Sequence, residues 1–157
     1  MTTPLALERL RSVIADNQPA VAFCSHCARA ADTESRVCDS CGLGIVLHAL
    51  ESVAPGPGEA FLVVEATLSV GAVSRDAERF LGTSEADSVN RPLDELIVGA
   101  DSEAGGPSLA TSVMWAARGD GEVRQVTIRP ANTFGVRCRA RIGPCGPPSA
   151  ALVVLED

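Results

Sequence analysis

The sequence predicts an α+β chain in two parts, a small metal-stapled module followed by a five-stranded sheet flanked by short helices. Three observations predict it. Two Cys-x-x-Cys pairs, Cys24-Ser-His-Cys27 and Cys38-Asp-Ser-Cys41, stand ten residues apart. A turn-rich stretch, Ala54-Pro-Gly-Pro-Gly-Glu-Ala60, follows them and marks the clearest boundary. From Phe61 onward, two apolar strand-like runs, several short helices with their own caps and three further strand-like runs succeed one another.

Four thiolates in two such pairs can close a tetrahedron around one Zn²⁺, because a two-residue spacer lets both sulfurs of a pair turn toward one point. Between Cys24 and Gly44 only Val37 and Leu43 are sizeable aliphatics, too few to order the segment by burial. Metal binding would supply that folding energy, about 10 kcal/mol in comparable small sites. Iron also suits four sulfurs. Disulfides require an oxidising compartment, and the start Met1-Thr-Thr-Pro-Leu-Ala-Leu-Glu-Arg9 lacks the basic opening and apolar run of an export signal. The stretches Ala22-Phe-Cys-Ser-His-Cys-Ala28 and Arg36-Val-Cys-Asp-Ser-Cys-Gly42 resemble the short double-knuckle zinc ribbon of many bacterial proteins. That pattern carries Pro after the first Cys and Gly after the second of each pair, and here only Gly42 is kept. The metal ligands are therefore Cys24, Cys27, Cys38 and Cys41, around a structural zinc. His26 lies inside the first loop and is expected beside the metal rather than on it, since four sulfurs fill a structural site.

Taken in order, residues 1–18 read as an amphipathic helix. Thr3 is its N-cap, Pro4 sits in its first turn, Leu7, Leu10 and Ile14 share a face, and Asn17 and Pro19 end it. So short a helix is marginal in water, and its stripe must pack on the protein's own body or on a second copy. Residues 19–50 form the metal module. Its tail, Ile45 to Val53, is expected to be a short helix carrying His48 among apolar neighbours. Residues 51–60 are the linker. Metal loss is expected to act locally, because residues 61–157 read as having a separate core.

Phe61 to Ala66 and Val70 to Ser74 read as strands around a tight turn near Thr67-Leu68. Asp76 to Gly82 is a short helix with Ser74 as N-cap, Gly82 as its close, and Ala77, Phe80 and Leu81 turned inward. Thr83 to Asp87 adds a helical turn, and a third helix starts at Pro92. Residues Gly99 to Ser108 form a loop and Leu109 to Ala117 a longer helix. Strands follow over Glu122 to Arg129, Gly135 to Ile142 and Ser149 to Leu155, with turns at Asn132-Thr-Phe-Gly135 and Gly143-Pro-Cys-Gly-Pro-Pro148.

The order of two strands, short helices and a three-strand meander resembles a PAS domain over residues 61–157. Val63-Val-Glu65, Ser74-Arg-Asp-Ala-Glu-Arg-Phe-Leu-Gly82 and Val89-Asn-Arg-Pro-Leu-Asp-Glu-Leu96 carry the resemblance. Ser74 stands where the family usually has Asn. Asn90 stands where it usually has Gly, a mild change because Asn tolerates a left-handed backbone. The resemblance implies a five-stranded antiparallel sheet and a role in sensing or protein contact. Haem in this family usually needs a His, which residues 61–157 lack, the flavin segment has no match, and the cinnamoyl type needs Tyr, of which the chain has none. The cofactor-binding residues of this part stay unknown, with an interior filled by side chains preferred over one holding a small apolar metabolite.

The basic side chains are all Arg, 13 of them against 20 acids, for a net charge of −7. That balance argues against nucleic acid as a partner. No apolar run reaches the roughly 18 residues of a membrane span, so the chain is expected to be soluble and cytoplasmic. No Ser-His-Asp arrangement or phosphate-binding glycine loop is evident, so no enzyme activity is expected. The chain ends on its last strand and is expected to act through other molecules. Val136, Cys138, Ala140 and Ile142 alternate inward, so Arg137, Arg139 and Arg141 face outward as a row for an acidic protein partner or a second copy, with the N-terminal helix the other homodimer route. Cys138 is expected to pack as a small hydrophobe and Cys145 to lie exposed in its Gly/Pro loop. These readings converge on a regulatory or adaptor protein of signal transduction. A nucleic-acid-contacting ribbon and a zinc–thiolate redox switch are the alternatives.

Overall fold

Apolar residues run without alternation through Ala60-Phe-Leu-Val-Val64 and Ala150-Ala-Leu-Val-Val-Leu155, so neither strand has a face to give to water, and both faces are covered. The computed structural model describes residues 20–31, 35–100, 108–133 and 135–156. Within these lie β1 (Ala20–Cys24), β2 (Val46–Leu50), β3 (Ala60–Val64), β4 (Val70–Val73), β5 (Ile97–Gly99), β6 (Arg124–Pro130), β7 (Cys138–Gly146) and β8 (Ala150–Glu156). The helices are α1 (Arg75–Leu81), α2 (Glu85–Ser88) and α3 (Leu109–Ala117), with a 3-10 turn at Leu93–Glu95. The expected N-terminal helix over residues 1–18 lies outside the described residues.

The strands pair antiparallel in the order β1-β2-β7-β8-β3-β4, and β6 joins β7 while carrying β5. β7 is long enough to have two neighbours on one edge. Its first half pairs with β6, from Arg124↔Ile142 to Ile128↔Cys138, and its end pairs with β2 through His48↔Gly146 and Ala49↔Cys145.

Helices cover one face of this sheet. Leu62 and Val64 of β3, Ala140 and Ile142 of β7, and Val153 and Leu155 of β8 pack there with Ala77 and Leu81 of α1 and Val113 and Ala116 of α3. Ser74 caps α1 by accepting from Ala77 N at 3.2 Å, and the same hydroxyl accepts Phe61 N at 3.0 Å, which ties the helix to β3. Asn90 does take the left-handed backbone, at φ 70°.

The other face is covered by the β1–β2 hairpin and the residues after it. Phe23, Leu47, Ala49, Leu50 and Val53 pack on Phe61, Val63, Cys145, Leu152 and Val154. Three expectations change as a result. Ile45 to Val53 is largely a strand, because all five residues of β2 find partners on β1, from Ala20↔Leu50 to Cys24↔Val46, and tertiary pairing overrides a weak helical pattern. The sheet counts eight strands among the described residues rather than five, the additions being β1, β2 and short β5. The cysteine-bearing hairpin shares a core with residues 61–156 instead of standing apart. The third helix expected at Pro92 shrinks to the 3-10 turn. No helix among the described residues is long and apolar enough to cross a membrane.

Candidate metal centre

Two tight turns of matching build carry the four cysteines. In the first, Ala28 N donates to Cys24 O at 3.1 Å, and in the second, Gly42 N donates to Cys38 O at 2.9 Å. The residue after each second cysteine takes a left-handed backbone, φ 65° at Ala28 and 68° at Gly42. Glycine reaches that conformation freely, whereas an L-residue such as Ala28 is strained in it by about 1 kcal/mol. The β1–β2 ladder brings the turns together. Ser25 N donates to Ile45 O at 2.9 Å, Ser25 Oγ accepts Ile45 N at 3.0 Å, and Cys38 N donates to Gly44 O at 2.9 Å. Gly44 lies so close to the first turn that a side chain there would run into Cys24 Sγ and come within 2.8 Å of His26 N.

The outcome is a group of four sulfurs, Cys24, Cys27, Cys38 and Cys41, all within 4.8 Å of one another. Cys24 and Cys41 Sγ are 3.6 Å apart, and Cys27 and Cys38 Sγ 3.8 Å apart. A disulfide requires about 2.0 Å, whereas tetrahedral metal–sulfur bonds of about 2.3 Å put neighbouring sulfurs about 3.8 Å apart. No disulfide joins any of the six cysteines. The donor set and its spacing therefore fit a single tetrahedral ion.

Backbone N–H groups are aimed at the sulfurs, as thiolate charge requires. His26 N and Cys27 N approach Cys24 Sγ at 3.3 and 3.4 Å. Burial pushes the Cys24 thiol up to about 12 in spite of them. Burial opposes ionisation of Cys41 too, but N–H groups of Leu43 and Gly44 outweigh it and bring that thiol down to about 6. Cys38 is lowered chiefly by the N–H of Cys41. A cation among the four sulfurs would favour the thiolate form of all of them. Neither histidine joins the group. His26 contributes its backbone, and its carbonyl accepts Arg75 N at 2.8 Å, which fastens the first turn to the start of α1. His48 sits half-buried on β2 opposite Ala22 and Gly146.

The rest of the docking is apolar and ionic. Phe23 meets Phe61 edge to face, centroids 5.4 Å apart. Gly143 admits Val53 so closely that an added Cβ would lie 3.0 Å from its side chain. Arg141 stands on the face that parity assigns, yet its guanidinium is engaged within the chain. It makes a bidentate pair with Glu59 at 2.7 and 2.8 Å, a bond to Glu156 Oε1 at 2.8 Å, and bonds to the carbonyls of Val53 and Ala54 at 3.1 and 2.7 Å. The expected outward row is thus interrupted at Arg141, while Arg137 and Arg139 are exposed. Cys138 packs against the helix-side core as expected. Cys145 does not lie in an exposed loop: β2 extends the ladder to it, it is 1 % exposed, and burial pushes its thiol up to about 12. Nothing in the sequence near Arg141 pointed to Glu59, 82 residues away, as its partner.

Site and fold together define an antiparallel α+β sheet whose outer face is closed by a hairpin bearing a metal-competent cysteine group. No family model matches the chain, and no curated protein matches it. Among solved structures, the PAS domain of nitrogen regulation protein NR(II) from Vibrio parahaemolyticus is similar at 18% identity, with a TM-score of 0.47, over 64% of this chain and 89% of that one.

Proposed function

We propose that this chain is a cytoplasmic regulatory or adaptor protein of signal transduction, in which a structural zinc holds a short ribbon on a PAS-type sensor or protein-interaction domain. It has no enzyme activity of its own and works by contact with a protein partner or a second copy. The observation that carries the reading is the four-sulfur group, because it closes a segment whose two aliphatics, Val37 and Leu43, are 53% and 75% exposed and contribute no interior. Zinc is favoured over iron because the role is structural and zinc brings no redox chemistry of its own. The PAS assignment rests on the segments around Ser74 and Asn90 and on the element order of β3, β4, the short helices, and β6 to β8.

Arg137 and Arg139 remain the partner-facing cations of this reading, and an acidic protein surface is the complement they fit. The test is elemental analysis of the purified protein together with affinity capture of its partners. Capture compares wild type with Arg137→Glu/Arg139→Glu at low and high salt, and light scattering follows the oligomeric state. Arg141 is left intact, since reversing it would disturb the fold. About one zinc per chain and salt-sensitive loss of a partner in the variant support the reading. Sub-stoichiometric metal, or an unchanged partner set and oligomeric state, refutes the corresponding half.

A further inference from the structure

One peptide unit of the first cysteine turn faces two ways. The bond joining His26 to Cys27 has its N–H on Cys24 Sγ, at 3.4 Å, and its carbonyl on Arg75 N, at 2.8 Å. Arg75 is the first residue of α1, so its N–H is one of those a helix leaves without a partner of its own. A peptide unit is planar and moves as one body, so the sulfur and the helix cannot shift independently of each other while both bonds hold. The two bonds also polarise one another, since negative charge on the sulfur draws the N–H and enriches the carbonyl oxygen that Arg75 meets.

A second contact closes the circuit from the other side of Cys24. Phe23 lies edge to face on Phe61, centroids 5.4 Å apart, and Phe61 N is held at 3.0 Å by the hydroxyl of Ser74, the residue that caps α1. Beyond α1 the bonds continue: Glu78 accepts Glu85 N of α2 at 2.9 Å, and Glu85 accepts Val73 N of β4 at 2.9 Å. We propose that the His26 carbonyl links the metal centre to α1, so that the Arg75 N–H positions the first cysteine turn for the metal and metal occupancy fixes the first turn of α1. The link rests on the reading of the four sulfurs as a metal site, and it makes the metal an input to the helical layer as well as a staple of the hairpin. Such coupling is reciprocal, each end strengthening the other by the same factor.

The experiment titrates zinc into the reduced, chelator-stripped full chain and follows amide exchange by NMR with and without the metal. One zinc per chain is expected, with exchange at Arg75 slowed about tenfold by the metal and exchange at Val153 of β8 slowed less. One zinc per chain with Arg75 unaffected, or with Val153 slowed equally, overturns the link and leaves the metal site standing. Failure to bind zinc stoichiometrically overturns both. In a second arm, Arg75→Pro is compared with Arg75→Ala, which keeps the N–H. Ser74 has φ −68° and ψ 159°, a backbone that a following proline favours, and proline suits the first position of a helix, so the substitution breaks the link from the helix side without touching a cysteine. Zinc affinity, measured by competition with a chelator, should be about fivefold weaker for Arg75→Pro than for Arg75→Ala, the worth of one hydrogen bond. Equal affinities overturn the proposal. Should Arg75→Pro fail to fold, the wild-type exchange decides alone.

Discussion

Replacing Arg141 with Met removes a cation that ties the segment after β2 to the end of β8. Its side chain is 13% exposed, and the carboxylates of Glu59 and Glu156 are 29% and 25% exposed. Removing one partner of a buried ion pair costs about 3–5 kcal/mol, because the other charge is left uncompensated. Both carboxylates here keep about a quarter of their surface in water and can be rehydrated, which brings the expected loss to about 2–3 kcal/mol. For a chain of this length that corresponds to a fall in Tm of roughly 4–12 °C. The loss depends on pH in a defined direction. Hydrogen bonds from Arg141 hold the Glu59 carboxyl below its ordinary range, against burial. A depressed folded pKa contributes stability above the ordinary carboxylate range of about 4.3 and loses it as pH falls through the depressed value. Wild type and Arg141→Met should therefore differ most at neutral pH and converge in strong acid. Urea unfolding at pH 7 and again near pH 3 measures both. A difference under about 0.5 kcal/mol at pH 7, or one that does not shrink in acid, would refute the clamp.

Three further outcomes are expected. Cys38→Ser should abolish stoichiometric metal and, because the hairpin shares Phe61, Leu152 and Val154 with the sheet, raise amide exchange in β3 and β8 as well as in β1. Damage confined to residues 20–50 would mean that the shared core does not couple them. Ala28→Gly relieves a left-handed alanine at some cost in backbone entropy, so metal-loaded protein should gain about 0.5–1 kcal/mol in chemical denaturation; a loss would show that Ala28 is not strained. Cys145 should resist a thiol reagent in the native protein and react only on unfolding, since burial holds it protonated; rapid native labelling at Cys145 would contradict its place under β2.

The parts of this molecule that were legible from sequence are those whose determinants lie close together in the chain. Two Cys-x-x-Cys pairs are complete in eighteen residues, and their four sulfurs do gather. Ser74, Ala77 and Gly82 cap and fill α1 locally, so its limits were read to within a residue. The parts that were misread depend on partners far along the chain. Val46-Leu-His-Ala-Leu50 satisfies a helical or an extended pattern equally well, and the choice falls to tertiary pairing, with Ala20 to Cys24 along one edge and with Cys145 and Gly146, nearly a hundred residues on, along the other. Alternation assigns Arg141 a face, but parity says nothing of what stands opposite. A signal for both was nevertheless present in the apolar run from Ala150 to Leu155. A strand with no polar face needs cover on two sides. The short helices supply one side, and among the described residues only 20–53 remained to supply the other, which requires the cysteine hairpin to lie on the sheet and its Pro/Gly tail to bring Glu59 up to Arg141.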